Sequence, residues 1–479
     1  MFDTILIANR GEIAIRVART CLELGIRTVA VCSTADLGGE LARIADACVH
    51  IGPPPARRSY LNAAAIVQAA LQSGAQAIHP GYGFLSEDPL FAEACQAHGL
   101  TFIGPPVPVL EALGDKARAR AIATAAGLPL LPGATEAIES LADARAAADE
   151  AGYPVIIKAV AGGGGRGMTV VSGPADLAAA YQQARASALT AFGDSRVYLE
   201  RYLTDARHIE VQILADAHGT VRHLGARNCS AQRRRQKLIE ESPPPGLPGE
   251  VVERICADAV ALAQRSGYLG AGTVEFLLDQ HNQHYFMEVN CRLQVEHPVT
   301  EMLTGLDLVR EQLLVAAGEP LSRPAQPLPG VGAAIECRVN AEDPARDFLP
   351  TPGLITEFQA PGGPFTRVDS HVAPGTVVPP HYDALLAKIV VWAPDRPQAI
   401  ARMDRALAEL RLTGPGIHTT VDFSRRLLAE PSFQAGDYTL GVVDTVLNAA
   451  ALGAAGRGAA GRGAAELGAP TKSAAMASW

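Results

Sequence analysis

The segment Glu288-Val-Asn-Cys-Arg-Leu-Gln-Val-Glu-His-Pro298 alternates polar and apolar side chains with a period of two. Its even-numbered positions from 288 to 296 are Glu, Asn, Arg, Gln and Glu, separated by Val, Cys, Leu and Val. Because successive side chains of a strand point to opposite faces, this pattern predicts one polar and one buried face. An ordinary half-buried strand also explains the alternation, but its wet face would more often carry Lys, Thr and Ser. Carboxylates, amides and a guanidinium favour a ligand-binding face.

A second carboxylate, Glu275, precedes Glu288 in the apolar run 271–278. The polar stretch Asp279-Gln-His-Asn-Gln283 between the two runs predicts a turn. A hairpin centred on this turn would set Glu275 opposite Glu288, an unfavourable pair unless a cation neutralises it. Mg²⁺ (or Mn²⁺) takes carboxylate and phosphate oxygens, and Asn290 could supply another. An open, solvated hairpin that tolerates both charges is the alternative.

Composition narrows the class of protein. A chain of 479 residues with 48% hydrophobic content is long enough for globular cores, in roughly three domains. The net charge of −9 argues against nucleic-acid binding. No apolar run reaches the length of a membrane-spanning helix, and the N-terminus shows no basic region followed by an apolar stretch. The sequence therefore predicts no membrane partner. The eight cysteines form no C-x-x-C pair and adjoin no histidine cluster, which predicts reduced thiols, a cytoplasmic location and no zinc site.

The N-terminal part alternates strand and helix patterns. A buried strand at 4–8, a helical pattern to Leu24 and a strand at 28–32 predict a doubly wound parallel sheet. No G-x-G-x-x-G follows the first strand, so a dinucleotide fingerprint is missing. Strands and helices then alternate through the middle of the chain, and the part after Gly332 predicts an α+β unit. The Ala/Gly-rich tail 447–479 has few large apolar residues and predicts disorder.

The glycine run Gly162-Gly-Gly-Gly165 lies between apolar strand patterns at 154–158 and 168–171. Bare backbone amides can close on phosphate oxygens, so a lid over a triphosphate is predicted here. A flexible linker is the alternative, although linkers are rarely held between two strands so close together. Lys158 and Lys116 could neutralise phosphates, but either alone is more often a surface lysine.

The segment 227–241 places cations and polar donors, including Lys237, ahead of two acids. A solvated charge run explains it equally well when it is taken alone. Cys229 and Ser230 lack a neighbouring base, which argues against a nucleophile at either position.

Together these motifs resemble biotin carboxylase, the ATP-grasp enzyme of acyl-CoA carboxylases. The resemblance covers residues 1 to 446 and rests on long, ordered stretches. They are Ile7-Ala-Asn-Arg-Gly-Glu-Ile13, His79-Pro-Gly-Tyr-Gly-Phe-Leu-Ser-Glu87, Val155-Ile-Ile-Lys158, the glycine run, Gln232-Arg-Arg, Gln236-Lys237, Glu288 to Thr300, and Glu336-Cys-Arg-Val-Asn-Ala-Glu-Asp-Pro344.

The resemblance implies a doubly wound domain at 1–114, a connecting helix and ATP-grasp lid at 115–203, and an ATP-grasp core with the C-terminal α+β part at 204–446. It also implies roles for individual residues. ATP would be bound by Lys116, Lys158, Gly164, Gly165, Glu200, Arg201, Tyr202, Leu203, His208, Gln232, Arg235 and Leu277. Magnesium would be held by Glu275, Glu288 and Asn290, bicarbonate by Lys237, Arg292, Gln294, Val295 and Glu296, and biotin by Arg338 and Tyr82. The catalytic set would be Arg292, Glu296, Lys237 and Arg338, with Glu296 as general base.

The implied activity is carboxylation of biotin through carboxyphosphate, as the first half-reaction of an acyl-CoA carboxylase, with acetyl-CoA carboxylase and fatty acid biosynthesis as the expectation. No Met-Lys-Met occurs in the chain, so biotin is expected on a separate carrier protein, with separate carboxyltransferase subunits and a homodimer of this chain. Several positions depart from the family pattern: Arg235 replaces a histidine, Arg201 a lysine, Ala161 a glycine, and Ala226 and Asn228 an acidic pair. Two alternatives stay open, another ATP-grasp carboxylate–amine ligase and an ATP-binding regulatory paralogue with weakened activity.

Overall fold

The computed structural model describes residues 1–134, 137–160, 168–322 and 332–449. Its first unit is a five-stranded parallel sheet in the order β3-β2-β1-β4-β5, as the strand and helix alternation predicted. The strands are β1 (Thr4–Ile7), β2 (Arg27–Ser33), β3 (Ala47–Gly52), β4 (Ala77–His79) and β5 (Thr101–Phe102), and the helices are α1 (Gly11–Glu23), α2 (Glu40–Ile44), α3 (Ala63–Ser73), α4 (Pro89–Ala97) and α5 (Val107–Gly114).

Alternation along β1 explains why both faces of this sheet are covered. Leu6 packs with residues of α3 and α4, whereas Ile5 and Ile7 pack on the other side with α1. All three side chains are fully buried. Parallel strands buried on both faces read as continuous apolar runs, which is the pattern of this segment.

The second unit is a small three-stranded antiparallel sheet in the order β7-β6-β8. Val155 and Ile157 on β6 pack against two alanine-rich helices. The elements are α6 (Lys116–Ala125), α7 (Leu141–Ala151), β6 (Val155–Ala159), β7 (Met168–Val171), α8 (Pro174–Phe192) and β8 (Val197–Arg201). The predicted glycine lid, including Gly164 and Gly165, lies outside the described residues.

The third unit is an eight-stranded antiparallel sheet in the order β13-β12-β9-β10-β11-β14-β21-β19. It carries α9 to α11 and then a C-terminal part with further short strands. The strands are β9 (Arg207–Ala215), β10 (Val221–Arg233), β11 (Gln236–Ser242), β12 (Gly270–Leu278), β13 (His284–Asn290), β14 (Ala333–Asn340), β15 (Glu342–Asp343), β16 (Leu349–Pro350), β17 (Gly353–Leu354), β18 (Glu357–Gln359), β19 (Thr366–Ser370), β20 (Val377–Val378), β21 (Leu385–Ala393) and β22 (Arg411–Thr413). The helices are α9 (Gly249–Ser266), α10 (His297–Thr304), α11 (Leu308–Ala316), α12 (Arg396–Glu409), α13 (Val421–Leu428) and α14 (Pro431–Ala435).

The predicted tail begins within a final helical stretch. Residues 442–449 are helical, and Leu447 packs against the core of β14, β21 and α12. The rest of the tail lies outside the described residues. None of the described helices combines the length and apolar character that a bilayer crossing demands.

Two of the eight cysteines lie side by side. Cys32 on β2 and Cys48 on β3 bring their sulfurs into contact, and the other six cysteines are free and buried. The two residues are 16 positions apart in sequence, but neighbouring parallel strands bring their Cα atoms to 6.5 Å. That separation lies within the range that a disulfide spans.

Candidate active site

The hairpin of β12 and β13 places two carboxylates opposite each other, as its spacing predicted. Glu275 pairs with Glu288 in the antiparallel register, and the backbone of Asp279 closes the turn on Gln283. Asn290 donates from Nδ2 to Glu275 Oε1 at 2.8 Å, so the predicted magnesium ligands adjoin one another.

The electrostatics of the two carboxylates differ. Burial alone would raise the pKa of Glu275, but Lys237 and His208 hold it well below its usual value. Burial and the charge of Glu275 raise the pKa of Glu288. Within the described ranges no hydrogen bond or ion pair reaches the Glu288 carboxylate. An under-neutralised acid beside a second carboxylate and an amide oxygen is a donor set that fits a hard divalent cation.

The strand predicted to continue to Glu296 is shorter than the alternation indicated. β13 ends at Asn290, and residues 291–296 form a loop that leads into α10. The reason is a non-local contact, because the backbone N–H of Cys291 donates to Glu87 Oε1 at 2.8 Å instead of continuing the ladder. The predicted single polar strand face is therefore wrong beyond Asn290.

Side chains of this loop, here called the 291–296 loop, nevertheless turn toward the hairpin. Arg292 donates to Asn290 Oδ1 and Gln294 Oε1, both at 2.9 Å, and its Nε donates to Glu87 Oε2 at 2.9 Å. Gln294 lies 3.4 Å from Glu275 Oε1. The fork of Arg292 thus binds three elements at once, which fixes its orientation.

Glu296 ends the loop at the N-cap of α10, fully buried between two cations. Lys237 Nζ donates to one of its carboxylate oxygens, and Arg338 Nη2 donates to the other at 3.0 Å. Burial alone would raise the pKa of Glu296, but Lys237, Arg338 and Arg227 hold it well below its usual range. The carboxylate is therefore ionised at neutral pH.

Lys237 and Arg338 each have further carboxylate partners. Lys237 contacts Glu210 Oε2 at 2.6 Å and Glu275 Oε1 at 3.3 Å, and these partners outweigh desolvation and raise its pKa well above the usual value. Arg338 Nε donates to Glu240 Oε1 at 2.6 Å, while burial raises the pKa of Glu240 to about 7. The predicted catalytic residues Lys237, Arg292, Glu296 and Arg338 thus lie in one cluster.

A second group of predicted residues lies at the small sheet. Lys158 on β6 forms an ion pair with Glu200 on β8, and Arg120 on α6 binds the other oxygen of Glu200 at 3.0 Å. Lys116 opens α6, and burial together with Lys158 lowers its pKa although Glu288 opposes this shift. The two lysines therefore influence each other and face the acidic hairpin, which is the arrangement expected for binding phosphates.

The predicted nucleotide hinge spans the end of β8 and the two residues after it. Its backbone is held by Arg201 N–H to Pro132 O at 2.8 Å and Tyr202 N–H to Pro154 O at 2.9 Å, while the side chain of Arg201 is exposed. Leu203 is half-buried beyond them.

Three further residues of the predicted nucleotide site lie on or beside the β12–β13 hairpin, namely His208, Gln232 and Leu277. His208 pairs with Leu277 in the β9–β12 register, contacts Gln232 Nε2 at 3.1 Å and lies 2.9 Å from Glu275 Oε2. Arg235 lies in the two-residue turn between β10 and β11 with a positive φ of 67°. Arg235 lies close enough to Lys116 and Tyr202, two other residues of the predicted nucleotide site, for electrostatic influence between them.

Tyr82, the second predicted biotin residue, donates its hydroxyl to Glu12 on α1. Burial and Glu12 raise its pKa well above the usual value, and Arg338 opposes this shift. Tyr82 is thus electrostatically coupled to Arg338, as residues of one substrate site would be.

Several charged residues that surround the cluster of predicted catalytic residues were not predicted from the sequence. Arg227 and Glu210 are both fully buried, and Arg227 Nε donates to Glu210 Oε1 at 2.6 Å. Glu240, Glu87 and Arg120 hold Arg338, Arg292 and Glu200 respectively. The alternation His208-Ile-Glu210-Val-Gln212 carried a signal, because it places three polar side chains on one face of β9.

The predicted departures at Ala226 and Asn228 leave Arg227 paired within the described part of the chain. Arg227 also donates to Gln212 Oε1 at 2.9 Å and to Thr300 Oγ1 at 2.7 Å. Asn228 accepts from the hydroxyl of Ser230 at 2.6 Å. Both positions are buried, and Ala226 O accepts from Ser242 Oγ at 2.7 Å, whereas Asn228 Nδ2 has no hydrogen-bond partner among the described residues.

Three family models match successive parts of the chain. Residues 1–110 match the biotin carboxylase N-terminal domain, residues 115–324 the ATP-binding domain of the carbamoyl-phosphate synthase L chain, and residues 336–445 the biotin carboxylase C-terminal domain.

Individual proteins are similar over nearly the whole chain. Biotin carboxylase of Nostoc sp. is 50% identical over 442 residues, which cover 92% of this chain and 98% of the relative. The solved biotin carboxylase–β,γ-ATP complex from Campylobacter jejuni superposes with a TM-score of 0.90 at 45% identity, covering 93% and 99% of the two chains. The biotin carboxylase domain dimer of Hydrogenobacter thermophilus 2-oxoglutarate carboxylase, solved with MgADP, ADP and bicarbonate, gives 0.89 at 42% identity and the same coverage. This chain belongs to the biotin carboxylase family.

Proposed function

We propose that this chain carboxylates biotin on a carrier protein, using ATP and bicarbonate. The observation that carries the proposal is the placement of Glu296 between Lys237 and Arg338, beside the carboxylates of the β12–β13 hairpin. One end of this cluster is cationic and suits a small oxyanion. The other end is acidic and adjoins Lys116 and Lys158, which suits a metal-bound triphosphate.

On the nucleotide side, Lys116 and Lys158 bind the phosphates, and Arg201, Tyr202 and Leu203 hold the base at the hinge. Glu275, Glu288 and Asn290 would hold Mg²⁺, which neutralises phosphate charge when the nucleotide is bound. Phosphoryl transfer requires mostly positioning and charge cancellation, and two lysines near the acidic hairpin supply part of both.

On the oxyanion side, Lys237, Arg292, Gln294 and Val295 hold bicarbonate while Glu296 accepts its proton. A bicarbonate oxygen then attacks the γ-phosphorus as the bond to ADP breaks, which forms carboxyphosphate. Carboxyphosphate yields CO₂ and phosphate, and the phosphate takes the ureido proton of biotin before the nitrogen attacks CO₂. Arg338 stabilises the resulting anion, since its fork stays charged and offers parallel donors.

The final acceptor and the assembly are part of the same proposal. We assign the chain to an acetyl-CoA carboxylase with a separate biotin carrier and carboxyltransferase subunits, active in the cytoplasm as a homodimer. A structural neighbour that belongs to a 2-oxoglutarate carboxylase keeps a 2-oxo acid as the second candidate acceptor. The division at residues 114, 203 and 446 is the domain organisation that we propose for these steps.

The test is ADP formation by the purified chain with free biotin or a biotinylated carrier. We expect ADP formation to require bicarbonate, Mg²⁺ and biotin together. ATP binding without turnover would support a regulatory paralogue instead. Turnover that depends on an amine but not on bicarbonate would identify another ATP-grasp ligase.

A further inference from the structure

A buried lysine outside the proposed substrate contacts lies under the 291–296 loop. Lys388 is in the middle of β21, opposite Arg338 on β14 and opposite Asp369 on β19. Directly paired residues of adjacent strands share a face, so Lys388 lies on the same side of the sheet as Arg338. Its side chain is 0% exposed.

The ammonium group of Lys388 binds two separate parts of the protein. It donates to the backbone carbonyl of Val295 at 2.9 Å and lies 3.0 Å from Glu12 Oε1. Asp369 Oδ2 is more distant, at 3.9 Å, and is already paired with Arg367 at 2.7 Å. The two short contacts therefore define where the ammonium can lie.

Val295 can take part in an anion site only through its backbone, because its side chain is apolar. A donor on the Val295 carbonyl restrains the peptide between Val295 and Glu296. This peptide adjoins Gln294, which is proposed to hold bicarbonate, and Glu296, which is proposed to accept its proton. The other contact, Glu12, accepts the hydroxyl of Tyr82. One ammonium thus links the bicarbonate loop to the proposed biotin side.

We propose that Lys388 is a positioning residue that fixes the 291–296 loop for bicarbonate and couples it through Glu12 to Tyr82. The inference rests on the proposed function for its substrate and on the contacts above for its geometry. Buried partners of ligand-holding groups typically change affinity or activity by about 10- to 100-fold when removed. A selective effect on bicarbonate follows from the contact with Val295, since Lys388 has no contact with Lys116, Lys158 or Glu288 among the described residues.

The test uses the full chain and the double variant Lys388→Met/Glu12→Gln. Removing both partners avoids leaving one buried charge alone, which is the costly outcome for a buried pair. The amide introduced by Glu12→Gln is a neutral acceptor for the Tyr82 hydroxyl, and Asp369 keeps Arg367. The matched control is Arg396→Met/Glu241→Gln, which removes another ion pair of the same unit, at 2.7 Å, between a half-buried arginine and a buried glutamate. Neither residue contacts the loop within the described part of the chain.

Two measurements are made on each protein. Hydrogen exchange of peptides spanning residues 291–299 reports loop order without any turnover, and initial rates give KM for bicarbonate and for ATP. We expect the Lys388 variant to exchange faster in this segment and to raise the bicarbonate KM about tenfold while the ATP KM changes little. The control variant should change neither the exchange of this segment nor the KM values for bicarbonate and ATP, whatever its thermal stability.

Unchanged exchange in 291–299 would overturn the positioning role. Faster exchange with equal increases of both KM values would overturn the link to bicarbonate. If wild-type protein shows no bicarbonate-dependent turnover, the proposed function fails, and the exchange data decide separately whether Lys388 orders the loop.

Discussion

Replacement of Glu296 by Gln tests the proposed chemistry most directly. The substitution keeps the shape of the side chain but removes the charge and the basic oxygen that would accept the bicarbonate proton. Loss of a positioned general base typically lowers the rate by about 10²- to 10⁴-fold. We therefore expect kcat to fall by about a thousandfold, within that range.

The structure also indicates that Glu296→Gln should fold. Lys237 keeps Glu210 at 2.6 Å, and Arg338 keeps Glu240 at 2.6 Å, so neither cation is left buried without a carboxylate. Nucleotide affinity should change far less than kcat, since Lys237, which Glu296 shares with Glu275, keeps both Glu210 and Glu275 as partners. Lys116 and Lys158 have no contact with Glu296 within the described part of the chain.

The assay pairs biotin-dependent ADP formation with calorimetric titration of ADP in the absence of turnover. Glu296→Asp serves as the matched variant, because it keeps the charge and withdraws it by one methylene. We expect it to retain more activity than the Gln variant. Equal losses of turnover and nucleotide affinity in Glu296→Gln would refute the assignment of Glu296 to bicarbonate rather than to the nucleotide.

Three other predictions address the metal, the nucleotide and the pH dependence of stability. Glu288→Gln should raise the Mg²⁺ concentration for half-maximal turnover by at least about tenfold. Asp279→Asn, in the turn of the same hairpin, should leave that concentration unchanged. The same Mg²⁺ dependence in both variants would exclude Glu288 as a ligand. Arg235→His should raise the ATP KM by about two- to tenfold at low salt and by a smaller factor at high salt, since it removes a permanent positive charge near Lys116. Arg234→His is the control, because Arg234 is the neighbouring residue and is exposed. Burial lowers the pKa of His79 in the folded protein to about 4. Between about pH 6.5 and 4 the unfolded chain therefore binds a proton at His79 that the folded protein does not bind, and the free energy of unfolding falls as the pH falls. Urea unfolding of His79→Asn should therefore show a pH slope smaller by about 1.4 kcal/mol per unit in this window, and an unchanged slope would contradict a neutral buried His79.

Local pattern was enough to predict the acidic hairpin. The turn at 279–283 and the two apolar runs were enough to predict a hairpin that brings Glu275 to Glu288. Their direct pairing also depends on a register shift between Glu275 and Phe276, which the spacing did not indicate. The parallel sheet was predictable for the same reason, because its strands and helices follow one another at short range. The remaining site residues were predicted from the family resemblance, which rests on long sequence motifs.

The course of the chain after Asn290 was not predictable in this way. The Cys291 amide leaves the ladder for Glu87, which is 204 positions away in sequence, and nothing near residue 291 indicates that partner. Glu210 and Arg227 were missed for a related reason. Each looks like an ordinary charged residue on an alternating strand, and only the β9–β10 pairing makes the two a buried ion pair.

The low pKa of Glu296 is consistent with a role as base once the ligand is considered. Lys237 and Arg338 are counter-ions of Glu296, and their charges depress its pKa. A bound bicarbonate anion would share those cations and add a like charge beside the carboxylate, and both effects raise the pKa of Glu296. The proton affinity of Glu296 would therefore rise only when the molecule to be deprotonated is present. The buried Arg227–Glu210 pair supports this exchange, because it holds a second carboxylate against Lys237 when Glu296 turns from counter-ion to base.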